Sequence, residues 1–350
     1  MKILIVDDDD IARAMLRKIL MKENHEVVQA RDGEEALNVL QNNDVQVVIS
    51  DWNMPKMDGI QLCQRIRQTS GLSYTYIILV TLRTSRDEML VGLWTGADDY
   101  ITKPFDPVEL LVRVHNAERM VALQVAGTTI FCLARLAESK GSEIGQHLER
   151  IRGYSKLLAE QLITDETIAR QLPAGFAELI YQSSPLHDIG KAGIPDSILL
   201  KPGSLNDDEW TIMKRHSEIG AETLAAALRV HPGAEFLRIA HNIAWAHHER
   251  WDGSGYPRGL KGDEIPWSAR IVALADVYDA LTTRRVYKAA VAHDAARGIL
   301  LQGTGSHFDP RVVQAFLATE QQFIALQQSL ADSGREPQAA QTPQAAAVVV

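Results

Sequence analysis

Residues 3–10 read Ile-Leu-Ile-Val-Asp-Asp-Asp-Asp: a short apolar run with four carboxylates directly behind it. A run this short and this uniformly apolar predicts a strand buried on both faces, as in a parallel sheet. Working outward, Ile11–Met21 has helical spacing, Val27–Val28 suggests a strand, and Gly33–Leu40 a helix. Val45–Ser50 is a second apolar strand candidate ending at Asp51. Ile77–Val80 ends at Thr81, and Tyr100–Ile101 ends just before Lys103-Pro104. Strands alternating with helices predict an α/β domain with a doubly wound five-stranded parallel sheet and a ligand site outside the carboxyl ends of the strands. Asp7, Asp8, Asp51, Thr81 and Lys103 all fall just after strands, so they should converge at that edge. Three carboxylates together call for a cation, and oxygen ligands suit Mg²⁺; a lysine beside them can bind a phosphoryl oxygen. A solvated helix start would account for Asp7–Asp10 but not for the other positions.

The chain has 350 residues, a length that suggests two domains. Net charge is −9, spread evenly: residues 1–123 carry 14 basic against 19 acidic residues, the remainder 22 against 26. No basic face is implied, which argues against a general nucleic-acid binder and predicts no DNA partner. Cys63 and Cys132 match no metal or redox spacing. With no leader-like segment and no unbroken apolar run of membrane-spanning length, the expectation is a cytoplasmic protein without a membrane partner.

Pro107–Val125 and Thr129–Glu138 both read as helical, with only Gly127 between them. One continuous helix or a stacked pair would fit, pairing either in a homodimer or within the chain. From about residue 129 to 325 the pattern is mostly helical, and metal-ligating residue types recur in clusters. Glu143 and His147 are one helical turn apart, His187 and Asp188 are adjacent, and His216 follows Met-Lys-Arg. His247-His248 precedes the loop Asp252-Gly-Ser-Gly-Tyr-Pro, and Asp276 lies in Ala-Leu-Ala-Asp. Five imidazoles and three carboxylates suit a first-row transition metal better than Mg²⁺ or Ca²⁺, and they exceed what one ion needs. Two ions about 3.5–4 Å apart can stabilise in-line attack on phosphorus. His25, His115, His231, His241 and His293 read as surface or core residues. Glu143 remains either a ligand or a solvated glutamate.

Two resemblances follow. The pieces Ile-Val-Asp-Asp, Ser-Asp-Trp-Asn-Met-Pro-Lys-Met-Asp-Gly and Gly-Ala-Asp-Asp-Tyr-Ile-Thr-Lys-Pro-Phe resemble a response-regulator receiver domain of flavodoxin-like fold. That resemblance implies phosphorylation of Asp51 by a cognate sensor histidine kinase. It also implies Mg²⁺ held by Asp7, Asp8, Asp51 and the Asn53 carbonyl, phosphoryl contacts from Thr81 and Lys103, and a cis Lys103-Pro104 peptide. Leu82, where such domains carry a small residue, is expected to narrow access to Asp51. The segments Glu143–Arg150, His187–Pro195, His247–Pro257 and Asp276–Lys288 resemble the HD-GYP phosphodiesterases of the all-α HD superfamily. That family hydrolyses cyclic di-GMP to pGpG and often onward to GMP.

The second resemblance implies metal ligands Glu143, His147, His187, Asp188, His216, His247, His248 and Asp276. They would hold two or three divalent ions, Fe or Mn first, with Zn, Ni and Co acceptable. Lys191, with His187 and Asp188, would serve catalysis, while Arg285, Lys288 and Tyr256 would meet the substrate. The expected organisation is a receiver at 1–122, a helical linker at 123–137, an HD-GYP domain at 138–328 and a disordered tail at 329–350. Expected partners are cyclic di-GMP, a sensor kinase, a second copy of the chain and diguanylate cyclases. The rivals are an HD-GYP hydrolase for pGpG or cyclic GMP-AMP, and a catalytically silent, phosphorylation-controlled interaction module.

Overall fold

Strand β1 (Lys2–Val6) carries the Ile-Leu-Ile-Val run, and all four side chains are buried. The computed structural model describes residues 1–69, 74–82, 92, 94–138, 146–283 and 290–330. The chain divides into two compact units, Met1–Thr128 and Thr129–Val350. In the first, β1 is followed by α1 (Asp10–Lys22), β2 (Glu26–Ala30), α2 (Gly33–Asn42), β3 (Val47–Asp51), α3 (Gly59–Gln68), β4 (Tyr76–Thr81), β5 (Asp99–Thr102) and α4 (Pro107–Glu138), which runs on into the second unit. The sheet is wholly parallel in the order β2-β1-β3-β4-β5, the doubly wound arrangement with its switch point between β1 and β3.

Alternate side chains enter two cores. Leu4, Val6 and Val48 pack with Ala36, Leu40, Leu62 and Ile66, while Ile3, Ile5 and Ile49 pack with Leu16, Leu20, Leu110 and Val114. Burial on both faces is why these strands read as unbroken apolar runs. β3 begins two residues later than the sequence suggests; just before it the Lys2 N–H donates to the Gln46 side-chain oxygen at 3.0 Å and the Gln46 N–H donates to the Lys2 carbonyl at 3.1 Å. Asp9 caps α1 by accepting from the Ile11 N–H at 2.8 Å, so one of the four consecutive carboxylates serves the helix and not the sheet edge.

Helix α4 is continuous through Gly127. By length and composition alone it is long and apolar enough to cross a membrane, and its most apolar stretch is almost wholly exposed. A search for unbroken apolar runs passes over it because polar residues such as Gln124 and Thr128 interrupt the pattern.

The second unit is helical among the described residues. After the end of α4 come α5 (His147–Leu162), α6 (Glu166–Ala169), α7 (Phe176–Ser183), α8 (Asp196–Leu199), α9 (Asp207–Lys214), α10 (His216–Val230), α11 (Glu235–Ala246), α12 (Trp267–Thr282), α13 (His293–Gln302) and α14 (Pro310–Ser329), with short 3-10 turns at Ser184–Leu186 and Ile189–Gly193. α12 is buried on nearly every side, which is why its sequence shows no polar face. Around it Tyr154, Tyr278, Phe316 and Phe323 interlock, with Tyr154 stacked on Phe323 at 4.5 Å and Tyr278 edge-on to Phe323 at 5.2 Å. Carboxylates on such a helix have little water to face and must find partners within the protein.

Candidate phosphoacceptor site and metal centre

Strand register assembles the first site. Val6 pairs with Ser50, so Asp7 and Asp51, each one residue further on, stand side by side. Asp51 pairs with Val80, placing Thr81 next; Thr81 pairs with Thr102, placing Lys103 next. The Lys103 ammonium bridges Asp7 at 2.9 Å and Asp51 at 3.0 Å. Oxygens of Asp7, Asp8 and Asp51 lie within 4.8 Å of one another, a grouping that fits a hard divalent cation. Asp7 and Thr81 are buried, while Asp8 and Asn53 are exposed. Burial pushes the Asp51 carboxyl up, and the Lys103 contact opposes it without cancelling it. A Cβ on Gly59 would lie 2.3 Å from the Asp51 carbonyl oxygen, so the Asp58-Gly59 pair lets α3 start against the acceptor strand. The Lys103–Pro104 peptide is cis, and Leu82 is 70% exposed.

The second site is built where helix ends meet. His147 opens α5, His216 opens α10, His247 and His248 follow α11, His187 and Asp188 join the two 3-10 turns, and Asp276 lies on α12. Four of the five rings are anchored through Nδ1. The acceptors are Asp279 Oδ2 for His147 (2.7 Å), the Ser184 carbonyl for His187 (2.9 Å), the Met213 carbonyl for His216 (2.8 Å) and the Ile243 carbonyl for His247 (3.0 Å). These partners only accept, so each Nδ1 carries the hydrogen and each Nε2 is turned the other way. The Nε2 atoms of His187, His216 and His247 stand 3.2, 3.3 and 3.8 Å from Asp188 oxygens, and His147 Nε2 is 3.9 Å from Asp276. Lys191 reaches Asp188 at 2.6 Å. Two groups have ligand atoms mutually within 4.8 Å: Asp188–His216–His247–His248 and Glu138–His147–His187.

His187 Nε2, His247 Nε2 and Asp188 Oδ1 are buried without a hydrogen-bond partner. Converging, orphaned lone pairs of this kind fit transition-metal ions. The electrostatics agree. Burial holds His216 and His248 below their ordinary range and His247 down to about 3, leaving neutral rings. Burial opposes the Asp188 charge, but Lys191 and His187 outweigh it and keep the carboxylate ionised. Burial likewise opposes charge on His187, yet Asp188 in contact outweighs it and raises the ring to about 10.

A Cβ on Gly190 would lie 1.9 Å from the His216 carbonyl oxygen, so only glycine lets the His187–Asp188 turn approach α10 this closely. Tyr256 stacks on His248 at 4.7 Å. Its loop is held by Glu249, which accepts from the Arg258 and Leu260 N–H groups at 2.8 and 3.0 Å, and by Asp252, which accepts from the Ser254 N–H at 2.9 Å. The sequence reading gave no role to Asp279 or Glu138, and held Glu249 only as part of the His247–Pro257 motif. The signal for Glu138 was its place as the first carboxylate after Glu118 in a charge-poor helix. Glu143, Arg285 and Lys288 lie outside the described residues, as does the tail from 331 onward. His25, His115, His231, His241 and His293 join none of the clusters found among the described residues.

Residues 3–115 match the family model of the response regulator receiver domain, and residues 132–312 match that of the HD domain, a hydrolase family. A receiver followed by an HD hydrolase is therefore the class of protein these two sites define. The chain belongs to the response regulators that carry an HD domain behind the receiver. A Vibrio cholerae serotype O1 protein named "Probable cyclic di-GMP phosphodiesterase" is 40% identical, covering 94% of this chain and 80% of that protein. The cyclic di-GMP phosphodiesterase response regulator RpfG of Xanthomonas campestris pv. campestris is 37% identical, covering 91% and 87%. The 3'3'-cGAMP-specific phosphodiesterase 2 of Vibrio cholerae is 41% identical over 62% of this chain and 39% of its own length.

Proposed function

We propose that this chain is a two-component response regulator whose phosphorylatable receiver controls a metal-dependent phosphodiesterase, hydrolysing cyclic di-GMP to pGpG and/or GMP. One observation carries the reading: buried imidazoles anchored through Nδ1 turn their Nε2 atoms onto Asp188, where lone pairs are left without hydrogen bonds. Asp188, His216, His247 and His248 would hold one divalent transition metal, and His147, His187 and Asp276 with Asp188 the next; Fe or Mn suits this set, and Zn, Ni or Co is acceptable. When bound, such ions supply Lewis-acid polarisation of the phosphodiester and of water.

The chain's own residues do the rest. Lys191, at the edge of the cluster, presents a positive charge to an arriving phosphate oxygen. Tyr256, held against His248, forms an aromatic wall. Arg285 and Lys288 are assigned to the substrate phosphates by resemblance. In the receiver, Asp51 accepts the phosphoryl group from a sensor histidine kinase, with Lys103 and Thr81 positioned for its oxygens and Asp7, Asp8 and the Asn53 carbonyl assigned to Mg²⁺. The exposed apolar residues Val112, Leu123, Leu133 and Leu136 on α4 support a homodimer. Cytoplasmic placement and diguanylate cyclase partners complete the proposal.

The similarity to the cGAMP-specific phosphodiesterase favours a second reading in which cyclic GMP-AMP is the better substrate. Product analysis decides. Full-length protein, reconstituted anaerobically with Fe(II) or Mn(II), is given cyclic di-GMP, 3'3'-cGAMP and pGpG at matched concentrations, with and without beryllofluoride. The expected result is fastest loss of cyclic di-GMP at a rate that beryllofluoride changes in wild type but not in Asp51→Asn, with Asp188→Ala losing both bound metal and turnover. A metal-replete protein that hydrolyses none of the three overturns the enzyme reading and favours the silent module.

A further inference from the structure

The last residue of α4 is a buried carboxylate set against two of the histidines. Glu138 is 7% exposed, and its Oε1 is buried with no hydrogen-bond partner. It makes no ion pair with any described residue. An oxygen of Glu138 and one ring nitrogen each of His147 and His187 lie within 4.8 Å of one another, and all three residues are buried. The two rings meet edge-on with centroids 5.7 Å apart.

A carboxylate taken out of water without a partner is strongly disfavoured, and only a proton or a cation resolves the conflict. Two imidazoles and a carboxylate in a closed site form a donor set of transition-metal type.

We propose that Glu138 ligates a divalent transition-metal ion together with His147 and His187, at a position separate from the Asp188–His216–His247–His248 group. The inference rests on reading the histidine–carboxylate cluster as a metal centre. The resemblance implies Glu143, which lies outside the described residues, whereas the inference assigns the carboxylate that ends α4. Its chemistry is that of a borderline-soft first-row ion, and occupying it ties the end of α4 to α5 and to the His187 turn.

The test is anaerobic equilibrium dialysis of the full chain against Mn(II), with bound metal counted by elemental analysis, on wild type, Glu138→Gln, Glu143→Gln and His216→Ala. Melting temperatures are read with and without Mn(II). Glutamine keeps the size and removes the charge. Glu138→Gln is expected to bind about one Mn(II) fewer per chain than wild type and to show a smaller rise in melting temperature on metal addition. Its metal-free form should melt no lower than wild type, because an unpaired buried carboxylate has been removed. Glu143→Gln should match wild type, and His216→Ala should lose metal from the other group. Equal Mn(II) counts and equal melting shifts in wild type and Glu138→Gln overturn the inference while the metal centre stands. Loss of the equivalent in Glu143→Gln instead, or a metal-free Glu138→Gln that melts well below wild type, also overturns it. Wild type that binds no Mn(II) overturns the metal-centre reading beneath it.

Discussion

Replacing Asp279 by asparagine removes a charge from a position that is 1% exposed. Its Oδ2 accepts from His147 Nδ1 at 2.7 Å and its Oδ1 from Arg150 Nε at 2.6 Å, with a further Arg150 bond at 3.2 Å. The Arg150 side chain is 3% exposed, so the variant takes from a desolvated guanidinium the carboxylate charge that Asp279 sets 2.6 Å away. Removing one partner of a buried ion pair costs about 3–5 kcal/mol. Asparagine is nearly isosteric, so no cavity cost is added. For a folding unit of this size that cost corresponds to a fall in melting temperature of roughly 6–20 °C. Burial alone would raise the Asp279 carboxyl, but His147 and Arg150 outweigh it and hold it below the ordinary range. A depressed carboxyl contributes its stability above the unfolded value of about 3.9 and loses it only as pH falls through the lower folded value. The full loss should therefore be present at pH 7. Urea unfolding of metal-stripped protein, followed by far-UV circular dichroism, measures it. A double variant, Arg150→Met with Asp279→Leu, removes both charges and should be less destabilised than Asp279→Asn. An Asp279→Asn protein within about 0.5 kcal/mol of wild type, or a double variant weaker than the single, would refute the reasoning.

Asp51→Asn should abolish incorporation of acid-labile phosphate from acetyl phosphate and leave metal content in the second unit unchanged; retained labelling would remove Asp51 as the acceptor. Gly190→Ala should lose most bound transition metal, because its methyl falls on a main-chain oxygen, whereas Gly127→Ala meets nothing within 4 Å and should stabilise α4 by about 0.5–1 kcal/mol. Metal analysis and thermal unfolding of the two variants side by side check the contrast. Burial, aided by the Arg250 charge, lowers His307 to about 4, so between about pH 6.5 and 4 the unfolded chain binds the proton that the folded chain refuses. Stability should fall as pH drops through that window, and His307→Gln should flatten the fall in urea midpoints recorded from pH 7 to pH 4.

The parallel sheet was readable because strands buried on both faces cannot hide their apolar runs, and because Asp51, Thr81 and Lys103 each close one. Register, which brings Asp7 and Asp51 level, is a property of pairing and is absent from either strand alone. In the second unit the ligand types stood out by chemistry, since histidines next to acids in helix-rich sequence are conspicuous. Their supports did not. Asp279 sits three residues after Asp276 with nothing in its spacing to mark it as the acceptor for a histidine 132 residues earlier. Gly190 carried no mark of its role, and only the approach of the His216 carbonyl shows why a side chain is excluded. Glu138 stood only as the last residue of a helical stretch, because burial at a helix end is decided by what packs over it.

The anchoring of the rings sets how the centre tolerates change. His187, His216 and His247 are held by the main-chain carbonyls of Ser184, Met213 and Ile243. A carbonyl persists whatever side chain a codon specifies, so drift at those three positions leaves ring orientation intact as long as the local turn survives. His147 alone leans on a side chain, Asp279. Heritable variation can therefore adjust the basicity and aim of one imidazole through a single distant codon, while the other three stay out of its reach.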